Sequence, residues 1–245
     1  MPPSHPRTGP VGFPDQTAWS VVLTARDHDH PEWRSRLDSL IQSYWKPVYW
    51  YLVGRWNCSK DDAAELAQEF FMRLFERDSL SEASPERGRF RTFLKLKLRD
   101  LVIDDLRRKS SLKRGGLGVA QGIALSPLED HPEARWRGLS PEEQFDRAWA
   151  ESVMSSALEE LERRHREKGR DAVFRAFWNC TIANPTQTYR DCAQELGIKE
   201  GDVKNYVLRT RAELRELVRH RVRGSVEKEE DVPSELEYLL SLFES

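Results

Sequence analysis

From Trp33 onward, apolar residues return every three or four positions: Leu37, Leu40, Ile41, Tyr44, Val48 and Leu52 trace one face of a helix. Pro47 lies within this run and predicts a kink or a division there. A break at 57–59 follows, and Ser59 then stands as a cap before Asp61 and Asp62, acids in the first turn of a second helix. That helix turns Ala63, Ala67, Phe70 and Leu74 inward. Asp61, Asp62, Glu65, Gln68, Glu69 and Arg73 form its outer face, which is mostly acidic. After a Ser84-Pro-Glu-Arg-Gly turn, Phe90, Leu94, Leu98 and Leu101 define a third buried stripe that ends in Leu106-Arg-Arg-Lys.

Residues 115–140 lose all period. Gly115, Gly116, Gly118, Gly122, Pro127, Pro132 and Gly138 interrupt them, so the segment is expected to be a flexible linker between two small helical domains. Ser140-Pro-Glu-Glu starts a new helix, with Ser at the cap and Pro in the first turn, running to about Lys168. Val173, Phe174, Phe177 and Trp178 mark another, which Asn184-Pro185 ends. A short helix over 188–196, a tight turn at Gly197 and a longer helix over 200–221 complete this half. Beyond Pro233, Leu236, Leu239, Leu240 and Phe243 form the apolar face of a small amphipathic helix. No β-alternation competes anywhere, so the fold class is all-α. The expected divisions are a flexible arm at 1–30, a helical domain at 31–114, the linker at 115–140, a second domain at 141–223 and an acidic extension at 224–245.

Composition narrows the picture. The hydrophobic fraction is only 38% and a third of the residues are charged, yet eight Trp and ten Phe can fill cores. The net charge of −2 conceals strong local imbalance. Between Pro85 and Arg114 eleven cations face four acids, whereas 224–245 holds seven acids and one base, Lys228. Arg91, Lys95 and Arg99, spaced i, i+4 and i+8, are expected to form an exposed basic line. Cys58, Cys180 and Cys192 are widely spaced and form no CxxC pair, so neither a disulfide framework nor a zinc site is indicated, which fits a reducing compartment. With no apolar run of signal or membrane length, a cytoplasmic location and no membrane partner are expected.

The 188–215 stretch has the pattern of a DNA-binding helix-turn-helix. Ala193 and Leu196 can pack its first helix on its second, Gly197 permits the left-handed turn, and Ile198, Val203, Val207 and Leu214 anchor the second helix. Lys204, Asn205, Leu208, Arg209 and Arg211 are left outward, where an amide and cations can read base edges and hold phosphates.

A family resemblance joins these parts. Asp61-Asp62-Ala-Ala-Glu65-Leu-Ala-Gln68-Glu69-Phe-Phe-Met-Arg73-Leu is similar to region 2.2 of extracytoplasmic-function (ECF) sigma factors of the sigma-70 family. Gly88-Arg-Phe-Arg-Thr-Phe-Leu, Leu-Arg99-Asp100 and Asp104-Asp105-Leu-Arg-Arg resemble their regions 2.3 and 2.4, and 188–215 resembles region 4. The resemblance covers about two-thirds of the chain. It implies a sigma region 2 bundle and a sigma region 4 helix-turn-helix, with RNA polymerase core and promoter DNA as partners. Asp62, Glu65, Gln68, Glu69 and Arg73 would dock on the clamp helices of the largest polymerase subunit, and the flap of the second-largest subunit is a further implied contact. Arg91, Lys95, Arg99, Asp100, Arg107 and Arg108 would meet the −10 element, and Lys204, Asn205, Leu208, Arg209 and Arg211 the −35 element. An anti-sigma factor or other regulator stays open as a partner. Phe90 and Phe93 are read as core, with wedging or stacking on bases as the other reading. The family commonly has Asn where Asp100 stands, and the stretch before the helix-turn-helix is longer than usual.

Neither a phosphate-binding glycine motif nor a catalytic or metal-ligand spacing occurs, so no enzyme activity, cofactor or metal is expected. Two competing readings remain: a stand-alone helix-turn-helix regulator, and a helical protein that sequesters a sigma factor. The acidic extension could restrain a basic surface or offer a partner helix.

Overall fold

The computed structural model describes residues 19, 22, 25, 27, 29–56, 60–76, 79–112, 136, 138–226 and 228–244, without the side chains of 55, 56, 60, 76, 106 and 108–112. The expected cap at Ser59, Cys58, most of the 1–30 arm and nearly all of the 115–140 linker lie outside the described residues. Within them the protein is all-α, with helices α1 (Trp33–Trp56), α2 (Lys60–Glu76), α3 (Phe90–Leu112), α4 (Pro141–Glu167), α5 (Asp171–Trp178), α6 (Tyr189–Leu196), α7 (Glu200–Arg223) and α8 (Val232–Glu244). Short 3-10 turns at 79–82, 85–87 and 229–231 and a π turn at 179–183 join or extend them.

The chain forms two units. One comprises 155–218; the other joins 16–154 to 219–245 among the described residues. This division differs from the expected one, because the first half of α4 and all of α8 belong with the region expected to end at 114. Continuous helices carry the chain through both boundaries, so no Gly- or Pro-rich signal marks them.

In the larger unit, α1 is one continuous helix with Pro47 inside it and buried. Its face of Leu37, Leu40, Tyr44, Val48 and Leu52 is buried as the spacing predicts. Phe90, at the start of α3, is wholly buried and meets Tyr44 and Trp19 edge-on, with ring centroids 5.3 and 5.7 Å away. Trp19 was expected in a flexible arm; with Val22 and Ala25 it occupies helical positions three apart and enters the core. Trp136, expected in the linker, is likewise buried, 5.1 Å from the Trp50 ring. Both corrections have one cause: a tryptophan presents too much apolar surface to leave in water when a core is within reach.

The smaller unit is built on the second half of α4 with α5, α6 and α7. Ala176, Cys180, Cys192, Ala193, Val203 and Val207 form a core against which Tyr189, Leu196, Ile198 and Tyr206 pack. Thr188 caps α6 by accepting from the Asp191 amide at 3.2 Å while its hydroxyl donates to the Asp191 carboxylate at 2.6 Å. Gly197 ends α6 at φ 67°, the left-handed conformation that lets the chain turn within three residues into α7. A capping box starts α4, where Ser140 Oγ accepts from the Glu143 amide and Glu143 accepts from the Ser140 amide.

Phe90→Ala should destabilise the larger unit by about 3–5 kcal/mol, the cost of a large cavity in a packed aromatic cluster. Urea denaturation of the full chain followed by tryptophan fluorescence measures this, and a loss under about 1 kcal/mol would contradict the packing.

Candidate nucleic-acid interface

Three polar surfaces emerge from these helices. On α2, burial of Ala63, Ala67, Phe70 and Leu74 forces the intervening polar residues outward. Asp62 and Glu65 are exposed, while Gln68, Glu69 and Arg73 are half-buried on the same side. Arg73 pairs with Glu69 at 2.5 Å across one helical turn, fixing both side chains. The five residues expected to contact polymerase therefore share one rigid, largely acidic face.

On α3, the structure divides what the sequence presented as one basic line. Arg99 is exposed, but Arg91 is only 4% exposed and Lys95 is half-buried. The Arg91 guanidinium lies between the Trp149 and Tyr238 rings, 4.5 and 4.8 Å from their centroids, and pairs with Glu235 and, at 3.6 Å, with Asp146. Lys95 Nζ donates to both Asp146 oxygens at 3.0 and 2.8 Å. Arg89 Nε approaches Glu235 at 2.9 Å, and the Ser225 hydroxyl donates to Glu235 at 3.2 Å. The expectation of an exposed Arg91 is corrected: α4 and α8 each deliver a carboxylate to that flank of α3, and a cation with anions at hand is sequestered rather than hydrated.

Burial pushes the Arg91 guanidinium below its ordinary value, opposed by the Asp146 charge. The Tyr238 hydroxyl donates to Asp146 at 2.7 Å and is pushed up to about 12 by burial and by that carboxylate. Since the folded value exceeds the unfolded one of about 10, this stabilisation is complete below pH ~10 and is lost as pH rises through 12.

The other flank of α3 stays open. Thr92, Leu96, Arg99, Asp100, Ile103 and Arg107 are exposed along it, and Arg107 lies 3.8 Å from Asp104. The side chain of Arg108 lies outside those described. A cleft of about 270 Å³ opens between this flank and the turn at 82–88, lined by Arg87, Arg89, Phe93, Leu96, Lys97, Arg99 and Asp100. Gly88, at φ 109°, makes the turn that lifts Arg87 and Arg89 to the rim. Phe93 stacks on Phe90 at 5.9 Å and still reaches the cleft, with Lys97 Nζ 5.6 Å from its ring. Glu82 also lines the cleft and pairs with Lys97 at 2.7 Å, so four cations face two acids, Glu82 and Asp100; with a ring face and a hollow they can hold a base with its phosphate. Of these residues, Arg87, Arg89, Lys97 and Leu96 were not singled out from the sequence; their signal was only the cationic run and the Ser-Pro-Glu-Arg-Gly turn.

On α7, Val203, Val207 and Thr210 face inward, so Lys204, Asn205, Leu208, Arg209 and Arg211 stand together on the exposed side, Leu208 being 53% exposed. Arg211 donates to Thr181 at 3.4 Å, which ties one of the five to the π turn. Cys180 and Cys192 are buried beneath, and burial with the neighbouring thiol pushes Cys192 up to about 12, so it is a packing residue rather than a nucleophile. Among the described residues no cluster of His, Cys, Asp and Glu could hold a metal ion, and no helix is long and apolar enough to cross a membrane.

The family model of sigma-70 region 2 matches residues 40–112, the span from α1 through α3 that carries both the acidic face and the cleft. The chain carries a sigma-70 region 2. The match covers under a third of the chain. No curated protein and no solved structure matches the chain. Both α8 and the start of α4 lie outside the matched span and complete the unit that contains region 2.

Arg91→Ala should destabilise the fold by about 3–5 kcal/mol by leaving Glu235 buried without its main counter-charge, whereas Arg99→Ala should change stability by under about 0.5 kcal/mol. Thermal unfolding of the two variants compares them directly; equal effects would contradict the division of the helix into a buried and an open flank.

Proposed function

We propose that this protein is a sigma factor of the ECF type, which binds RNA polymerase core and directs promoter-specific initiation. The observation that supports this best is the coincidence, within the span matching sigma-70 region 2, of an acidic helix face and a cationic cleft on neighbouring helices. In this reading Asp62, Glu65, Gln68, Glu69 and Arg73 dock on the clamp helices of the largest subunit, where carboxylates on a rigid helix give an orientation-specific and salt-sensitive contact. The non-template strand of the −10 element occupies the cleft, with Arg99, Arg107, Arg87 and Lys97 toward phosphates and Asp100 toward a base amino group. Stacking contributes about 1–3 kcal/mol per base, comparable with the cost of unstacking one, so binding energy drives opening without covalent catalysis.

The unit of 155–218 then serves as region 4. Lys204, Asn205, Leu208 and Arg209 enter the major groove of the −35 element and Arg211 flanks them. The flap of the second-largest subunit is a further partner, and an anti-sigma factor would act by covering one of these surfaces.

Reconstituted transcription from a cognate promoter should require both this protein and core polymerase; tight, specific promoter binding by the protein alone would instead identify a stand-alone regulator. Lys204→Ala with Arg209→Ala should weaken holoenzyme binding to a −35-containing promoter by about tenfold to a hundredfold, because each base contact contributes about 1–3 kcal/mol. Asp62→Lys with Glu65→Lys should lower core affinity at least about tenfold, as like charges meet across the interface. Electrophoretic mobility shift and core-binding titrations read the two separately. Loss of core binding in the Lys204/Arg209 variant would overturn this division of labour.

A further inference from the structure

The cleft beside α3 and the ion cluster behind it share one residue. Arg89 lines the cleft and at the same time pairs with Glu235 of α8 at 2.9 Å. Glu235 is wholly buried and also holds Arg91, which follows Arg89 by two positions. One carboxylate near the end of the chain thus engages two cations at the start of the helix that forms the cleft. Further along, α8 is not sealed: Leu240 and Phe243 are among the most exposed large apolar residues described. The segment leading into α8 is held by exposed pairs, Glu229 with Arg219 at 2.8 Å and with Arg223 at 2.6 Å.

We propose that α8 is a tethered anionic competitor for nucleic acid: Glu235 occupies Arg89 and Arg91 as a phosphate would, and so restrains binding of a single strand in the cleft until α8 is displaced. The inference rests on the reading of the cleft as a nucleic-acid site. A phosphodiester and a carboxylate offer arginine the same paired oxygen acceptors, so the two compete for one guanidinium geometry. While Glu235 is seated, Arg89 carries little net attraction into the cleft and Arg91 has no path to solvent. Released, Arg89 adds its charge to Arg87, Lys97 and Arg99 around the cleft, while Arg91 keeps Asp146. The coupling is reciprocal: whatever α8 withholds from DNA affinity, bound DNA withholds from the seating of α8.

The test uses the full-length protein and a fluorescein-labelled single-stranded oligodeoxynucleotide of mixed sequence, titrated by anisotropy at several salt concentrations. Glu235→Gln preserves the shape of the side chain and removes its charge. It should raise affinity roughly fivefold, and steepen the dependence of log K on log salt by about 0.7 for each phosphate newly engaged. Unchanged affinity and slope in a folded Glu235→Gln protein, with Arg99→Ala still weakening the wild-type chain, would overturn the competitor role and leave the cleft assignment standing. If Arg99→Ala weakens neither background, the cleft is not the site and both readings fall.

Hydrogen exchange on the unaltered protein decides the matter should Glu235→Gln not fold. Saturation with the oligonucleotide should lower amide protection across 232–244. Unchanged or increased protection there would overturn the proposal.

Discussion

A guanidinium cannot sit between tryptophan and tyrosine rings unless anions accompany it, and Arg91 imposes that condition on the larger unit. Its counter-charges come from Asp146 on α4 and from Glu235 on α8, the latter 144 positions away along the chain. Neither carboxylate is supplied by the segment that matches region 2. The protein therefore recruits the start of its second helical half and its far end to the side of α3, and the divisions of the chain follow from that recruitment. Lys95, Tyr238 and Ser225 complete the arrangement by using the remaining oxygens of the same two acids. A cluster of this kind contributes little net stability compared with an apolar core of the same volume, but it is intolerant of losing a member. Such a cluster specifies which segments must meet.

The consequence for α3 is a division of labour between flanks of one cationic helix. Along Arg91 and Lys95 the charges are compensated in a low-dielectric surrounding, where salt has little influence. Along Arg99 and Arg107 the charges face solvent, and in the cleft Arg87 stands beside Lys97, whose partner Glu82 is itself exposed, so salt and phosphate can compete for them. Arg89 stands at the border and belongs to both. The acidic face of α2 adds a surface of opposite sign within the same unit, so that a single small bundle presents anions on one helix and cations on its neighbour. That separation suits a protein with two partners of different charge.

Much of this was legible in the sequence where the signal is periodic. The buried stripes of α1, α2 and α3, the caps at Ser140 and Thr188, and the turn at Gly197 lie where spacing and local chemistry predict them. These features depend on residues within one or two helical turns of each other. The outward set on α7 is legible for the same reason, since burial of Val203 and Val207 fixes the phase of the whole helix. The matched family span agrees with the resemblance carried by Asp61 through Leu74 and Gly88 through Arg108.

Sequence alone thus determined the helices, their inward faces and the order of their charged surfaces, because each is set by near neighbours. Tertiary structure decided which charges remain available. An i, i+4, i+8 line of Arg91, Lys95 and Arg99 looks uniform on a helix, and only the arrival of Asp146 and Glu235 from distant segments distinguishes its members. The same holds for α8, whose spacing marked Leu236, Leu239, Leu240 and Phe243 as its apolar face, while the folded chain buries Leu239 with Glu235 and leaves Leu240 and Phe243 exposed. Hydrophobic periodicity measures how much a side chain avoids water; it carries no information on a counter-charge more than a hundred residues away.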